Sequence, residues 1–290
     1  MPTRQAVREC GFGWRGALAP LVLLLAVTSS ARASTLVAPH ALYMDGSSRS
    51  AVLYLQNTGD TTQEVSIELE FGYPVSDSTG TVHVQLIPEP APSEPSAADW
   101  VRVLPRRAFL SPGERRAVRF LAEPGADLED GEYWTRVIVA SQDIGGAEPA
   151  VVAEGVSAQL VLRSRVIIPL SYRKGPVATG VNLVGFEPEI VDSAVVAHVR
   201  MERTGNAAYL AKLELSLAAP EDPEGSPGVH WERDIAVYRD LYRRIELPVT
   251  TLPKGVYVLS LRLSTERDDI PARHILASAP VQVETPVLLD

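Results

Sequence analysis

The chain has 290 residues, with 36 Asp and Glu against 27 Lys and Arg, a net charge of −9 at neutral pH. An acidic balance of that size argues against nucleic acid and anionic membrane surfaces as partners, since both repel it. The single cysteine, Cys10, excludes an internal disulfide framework and leaves stability to hydrophobic cores, for which the length is ample.

The first 33 residues read as a secretory signal peptide. Arg4, Arg8 and Arg15 form a basic start, Ala17 to Val27 is an apolar run interrupted only by Pro20, and Ala31-Arg32-Ala33 is an A-x-A cleavage site. The run is too short to span a bilayer. Cleavage would remove Cys10 and leave an even more acidic chain, exported and soluble, with no membrane insertion. A periplasmic protein is expected, with a secreted one as the alternative.

After residue 34 helical periodicity is almost absent. Short alternating runs bounded by Gly, Pro, Asn and Asp take its place, the pattern of all-β sandwiches. Leu36 to Met44 reads as a first strand, and Ala51 to Gln56 as a second, closed by the turn Asn57-Thr58-Gly59-Asp60. Val65, Ile67, Leu69 and Phe71 alternate with Ser66, Glu68 and Glu70, which predicts a strand with one wet face. Thr81 to Ile87 is a further strand, and Pro88 to Asp99 a loop. Trp100 to Leu110 resumes as a strand, Ser111-Pro112-Gly113-Glu114 turns the chain, and Arg116 to Ala122 returns. Glu132 to Ser141 is rich in Tyr, Trp and Val.

Val156 to Tyr172 is the longest alternation. Val156, Ala158, Leu160, Leu162, Val166, Ile168 and Leu170 share one face, while Gln159, Arg163, Arg165 and Ser171 share the other. At about 3.3 Å per residue it would extend roughly 55 Å, too long for one sandwich. Either it bends between sheets, or part of its apolar row serves something outside the domain.

Arg173-Lys174-Gly175-Pro176 reads as a linker. Strands resume at Val195 to Met201 and Lys212 to Leu217; an acidic Pro/Gly loop covers Ala218 to Gly228. His230 to Tyr238, Tyr242 to Val249, Gly255 to Ser264 and His274 to Glu284 complete about six strands. The expected organisation is all-β: two immunoglobulin-like β-sandwich domains in series, at 34–173 and 177–290, after a signal peptide at 1–33.

Catalytic signatures are missing. His40, His83, His198, His230 and His274 are scattered, without ligand spacing on one element, and no phosphate-binding loop, dinucleotide fingerprint or G-x-S-x-G occurs after residue 34. Glu68 with Glu70 and Asp268 with Asp269 are carboxylate pairs that solvation explains. No nucleotide, metal cofactor or small-molecule substrate is expected. A glycosidase with acids far apart in the chain stays as a third reading.

Four segments, in order, carry a resemblance. His40 to Asn57 includes Asp45-Gly46. Pro105 to Glu114 ends in Leu110-Ser111-Pro112-Gly113-Glu114 and continues through Arg116 to Phe120. Asp130 to Val137 and Leu160 to Arg173 follow. Together they resemble the first domain of PapD-like periplasmic pilus chaperones, over residues 36–173. The resemblance implies two sandwiches joined at an angle and a long strand whose alternate apolar residues fill the groove of an incomplete pilin-like subunit, later yielded to an outer-membrane usher. Matched by position, the inserted residues are Leu160, Leu162, Val166 and Ile168; the other reading of this row is that it faces its own core. The family also anchors the subunit's terminal carboxylate with a basic residue on the first strand and another on the long strand. Those positions fall here on Ala41 or His40 and near Ile168 or Pro169. Arg163 and Arg165 are nearby candidates for the anchor, or solvated charges that discourage edge aggregation. Pro169 removes a ladder donor, so the strand is expected to be an edge there or to leave its sheet. The competing reading is a secreted immunoglobulin-like structural or adhesion module with the long strand buried inside.

Overall fold

The computed structural model describes residues 35–144, 163–220 and 228–289. The signal-peptide expectation at 1–33 lies outside these residues. Among them no helix is long and apolar enough to cross a membrane.

The described chain is built from strands, with one 3-10 turn at Ala272–His274. In the first sandwich β1 (Thr35–Ala38), β3 (Ser50–Asn57), β8 (Arg115–Ala122) and β6 (Val101–Leu104) form one sheet in that order. Facing it, β2 (Leu42–Asp45), β10 (Arg163–Lys174), β9 (Gly131–Asp143), β4 (Gln63–Ser76) and β5 (Val82–Ile87) form the other, with β7 (Arg107–Leu110) also paired to β4. Their inward rows close on one core that includes Leu53, Leu55, Ile67, Phe120, Val137, Val139 and Leu170.

Two expected strands are each divided. Leu36 to Met44 becomes β1 and β2, and Trp100 to Leu110 becomes β6 and β7, the halves lying in opposite sheets. Each break falls at a proline, Pro39 or Pro105, which has no N–H to give a ladder. Alternation continues across such a break, because both halves still face one core.

The second sandwich packs β11 (Thr179–Val191), β12 (Ala194–Gly205) and β15 (Asp240–Pro248) against β14 (Val229–Val237), β13 (Tyr209–Ala218), β16 (Gly255–Ser264) and β17 (Val281–Leu289). Strand β13 shows the cleanest pattern: Tyr209, Ala211, Leu213, Leu215 and Leu217 are buried, and every residue between them is half-exposed. Two readings are corrected here. Strand β11 was not expected; Gly180, Gly185 and Pro188 interrupt its pattern, and its register slips between Leu183 and Gly185. The last strand is not His274 to Glu284: His274 ends the 3-10 turn, and pairing to β16 begins at Val281.

The two sandwiches belong to one compact unit. A third cluster sits between them, with Phe71, Trp134, Ala208 and Tyr238 buried and Tyr73, Ile87, Leu210 and Ala236 packed around. The β4–β5 hairpin reinforces the contact. Beyond Glu70 strand β4 leaves β9 and pairs only with β5. Its end reaches β15, where the Tyr242 N–H donates to Ser76 Oγ at 2.9 Å, and Val82 packs on the second core. Gly80 has φ +80° and lies so close to β15 that a Cβ would sit 2.4 Å from the Arg244 nitrogen. Only glycine meets both conditions.

Candidate functional site: a free strand edge and a cleft

Strand β10 pairs with β9 from Arg163 to Lys174. On its other side β2 joins only at Leu170–Arg173. Among the described strands, Arg163 to Pro169 therefore has one unpaired edge. The cause is local. The first strand crosses between sheets at Pro39 and reaches β10 only at Leu42, so the upstream half of β10 has no neighbour on that side among the described strands. Free N–H and C=O groups in a row are the template for strand addition.

The side chains of this strand divide by parity. Ile168, Leu170 and Tyr172 are buried in the first core, Ile168 at 3% exposure, and Val166 is partly buried against it. Two of the four expected docking residues are thus turned into their own sandwich, because the described part of β10 is a full member of its sheet. Leu160 and Leu162 lie outside the described residues. Arg163 and Arg165 are exposed on the opposite face. Arg165 Nη2 is 3.8 Å from Glu70 Oε1, a half-exposed pair of small energetic weight. Arg163 borders a shallow depression with Glu64, Ser66, Arg107 and Gln142.

Pro169 and Ser171 lead from the free edge into a cleft of about 1030 Å³ between the sandwiches. His40 lines this cleft; Arg163 and Arg165 do not, so the three candidate anchors are not brought together. The cleft instead presents Arg136 from β9 and Arg243 from β15. Arg136 lies directly opposite Pro169 in the β9–β10 register. Its Nε donates to the Gly72 carbonyl at 2.9 Å, and its guanidinium sits 4.9 Å from the centre of the Tyr238 ring. Arg136 is 4% exposed, and its Nη2 is buried with no hydrogen-bond partner among the described residues. Arg243 Nε is likewise buried and unpaired, and burial, then the nearby Arg233 charge, lowers its pKa.

Acids in the cleft are already engaged. Glu132 pairs with Arg173 at 2.7 Å, and Asp234 and Asp269 pair with Arg267 at 3.1 and 2.6 Å. Asp45 Oδ1 accepts hydrogen bonds from Ser47 and Ser48, the Ser47 hydroxyl being the main cause of its lowered pKa. Among the described residues, buried Arg136 and half-buried Arg243 therefore pair with no acid, and each keeps one buried nitrogen without a partner. Desolvated charge without a partner is costly, and an incoming carboxylate would relieve that cost. Residue order offered one hint of Arg136: it is the charged residue inside the apolar run Trp134 to Val139. Arg243 had no such signal.

His274 closes one wall. Its ring stacks on Tyr43 at 4.7 Å, and its carbonyl accepts from Arg173 Nη1 at 2.8 Å. Burial, then Arg273 and Arg173, lowers its pKa from the ordinary 6.5. A histidine depressed in the fold binds fewer protons folded than unfolded, so stability is lost as pH falls below about 6.5 toward its folded value. His274→Gln is expected to flatten that part of a stability-against-pH curve measured by urea unfolding. An unchanged slope would place the sensitivity elsewhere.

No family model matches the chain, and no curated protein does. Several solved structures similar to it are chaperones. The YadV chaperone is 13% identical, with 86% of this chain and 100% of that one covered at a TM-score of 0.42. The CsuC–CsuE chaperone–tip subunit pre-assembly complex from the archaic chaperone-usher Csu pili of Acinetobacter baumannii gives 14%, 87% and 98%, at 0.42. The E. coli chaperone DraB gives 15%, 87% and 97%, at 0.40.

Proposed function

We propose that this protein is a divergent PapD-like periplasmic chaperone that holds exported pilin-like subunits. One observation carries the reading: an edge of β10, unpaired among the described strands, that ends at a cleft where Arg136 and Arg243 each hold a buried nitrogen without a partner. An extended subunit segment would add along Arg163 to Pro169, gaining main-chain hydrogen bonds, with the upstream row of Leu160 and Leu162 entering the subunit's open groove. The segment's terminal carboxylate would reach Arg136 and Arg243, in place of the basic pair expected at Ala41 or His40 and near Ile168 or Pro169. The subunit then passes to an assembly machine such as an outer-membrane usher. No cofactor takes part, since strand exchange forms and breaks only non-covalent contacts.

The test uses C-terminal strand peptides of pilin-like proteins encoded beside this chain's gene, as free acids and as amides. Wild-type protein is expected to prefer the acid by about 10- to 100-fold, the weight of charge-assisted hydrogen bonds. Arg136→Gln should erase that preference while leaving amide binding unchanged. Leu160→Asp with Leu162→Asp should weaken capture of the whole subunit. Equal affinity for acid and amide would remove the anchor, and undiminished capture by the double variant would remove strand lending.

A further inference from the structure

Away from the cleft, the outer face of the second sandwich gathers metal-ligating groups from two strands. His230 and Glu232 are two apart on edge strand β14, so they share a face, with His230 Nε2 3.6 Å from Glu232 Oε2. Glu214 on β13 lies directly opposite Glu232 in register, and Ser216 lies opposite His230. One ligand atom from each of Glu214, His230 and Glu232 falls within 4.8 Å of the others. Glu214 and His230 border a polar depression of about 520 Å³ with Ser216, Ser260, Arg262 and Gln282. The His230-x-Glu232 spacing on one strand is present in the sequence, where the reading of scattered histidines missed it; the third ligand, on a different strand, is not legible there.

We propose that Glu214, His230 and Glu232 form a binding site for a divalent transition metal of the zinc class. Two carboxylates facing each other across adjacent strands repel. Arg262 offsets part of this, at 3.6 Å from Glu214, but it also reaches Glu266 at 3.6 Å, and no basic side chain other than His230 pairs with Glu232 among the described residues. A cation between them would neutralise both. One imidazole nitrogen with two carboxylate oxygens suits zinc, and water completes a tetrahedron. Zinc bonds of about 2.0–2.1 Å set ligand atoms roughly 3.3 Å apart. Closing the present spacing asks for about 1.5 Å of movement, within reach of rotamer changes in side chains that are exposed or half-exposed. The metal would tie edge strand β14 to β13 and so stabilise the folded chain.

Titration calorimetry with Zn²⁺ on the purified protein, together with thermal unfolding, tests this. One equivalent should bind and raise the melting temperature. His230→Ala should weaken binding at least ~10-fold and abolish the rise, and Glu214→Gln with Glu232→Gln should do the same. His198→Ala should change neither zinc affinity nor the zinc-dependent rise, and His230→Ala should melt as wild type does without metal, since His230 is on the surface. Absence of a zinc-dependent melting shift, or binding that survives His230→Ala, would overturn the proposal.

Discussion

Glu132→Ala is expected to cost about 3–5 kcal/mol of folding stability, read as a fall in the midpoint of urea unfolding. Glu132 and Arg173 are register partners on β9 and β10, joined at 2.7 Å, with side chains only 1% and 12% exposed. Burial pushes the Glu132 carboxyl up, while the Arg173 charge pulls it back. The pair sits where the sandwiches meet: Glu132 N–H donates to the Asn206 carbonyl at 3.0 Å, and Arg173 Nη1 reaches the His274 carbonyl. Alanine at 132 leaves the Arg173 guanidinium desolvated without its acid, and the cost lies in that orphaned charge more than in the lost attraction. The double variant Glu132→Leu with Arg173→Met should therefore cost much less than the two single changes added together. A single-variant loss below 1 kcal/mol would show that water reaches Arg173 and that the ion pair does not hold the junction.

Strands buried on one face were legible from residues alone. The alternation of Leu213, Leu215 and Leu217 with Lys212, Glu214 and Ser216 became β13 without correction. Period two reports a side chain's face but not its sheet. Hence Pro39 and Pro105 were the only written traces of the crossings that make four short strands from two long ones. Strand β11 escaped because few of its side chains are buried, so little alternation was imposed on it.

The edge of β10 was partly legible through Pro169, a residue that cannot donate to a ladder. Its cause was not, since the neighbour's absence depends on where β2 starts pairing. Arg163 and Arg165 drew attention by proximity in sequence, yet the cleft lies on the far side of Pro169, and its arginines come from strands 27 residues or more upstream and 70 or more downstream. Convergence of that kind is a property of register and interdomain packing. Even so, Val137 to Ala140 is a short unbroken apolar run rather than an alternation, the mark of a strand covered on both faces. Strand β9 is such a strand: Val137 and Val139 face the first core, while Trp134 faces the second sandwich.

Trp134→Ala should also cost about 3–5 kcal/mol, and it should change the shape of unfolding as well as its midpoint. Trp134 is 1% exposed and touches both halves: its ring centre is 6.1 Å from Phe71 in a stacked pair and 5.0 Å from Tyr238 edge-on. Removing the indole opens a cavity between bodies that each keep their own core. Wild-type protein, coupled through this cluster and the Glu132–Arg173 pair, is expected to unfold in one calorimetric transition; the alanine variant should show two. Trp134→Phe separates volume from polarity. The indole Nε1 is buried without a partner among the described residues, so phenylalanine removes an unsatisfied donor while keeping most of the ring, and its cost should stay below about 1.5 kcal/mol. If the alanine variant still melts in one step, the β4–β5 hairpin and the Glu132–Arg173 pair suffice to couple the sandwiches. Loosening the hairpin's contact with β15 through Gly80→Ala, where φ is +80° and β15 crowds the new Cβ, would then be the change that splits the transition.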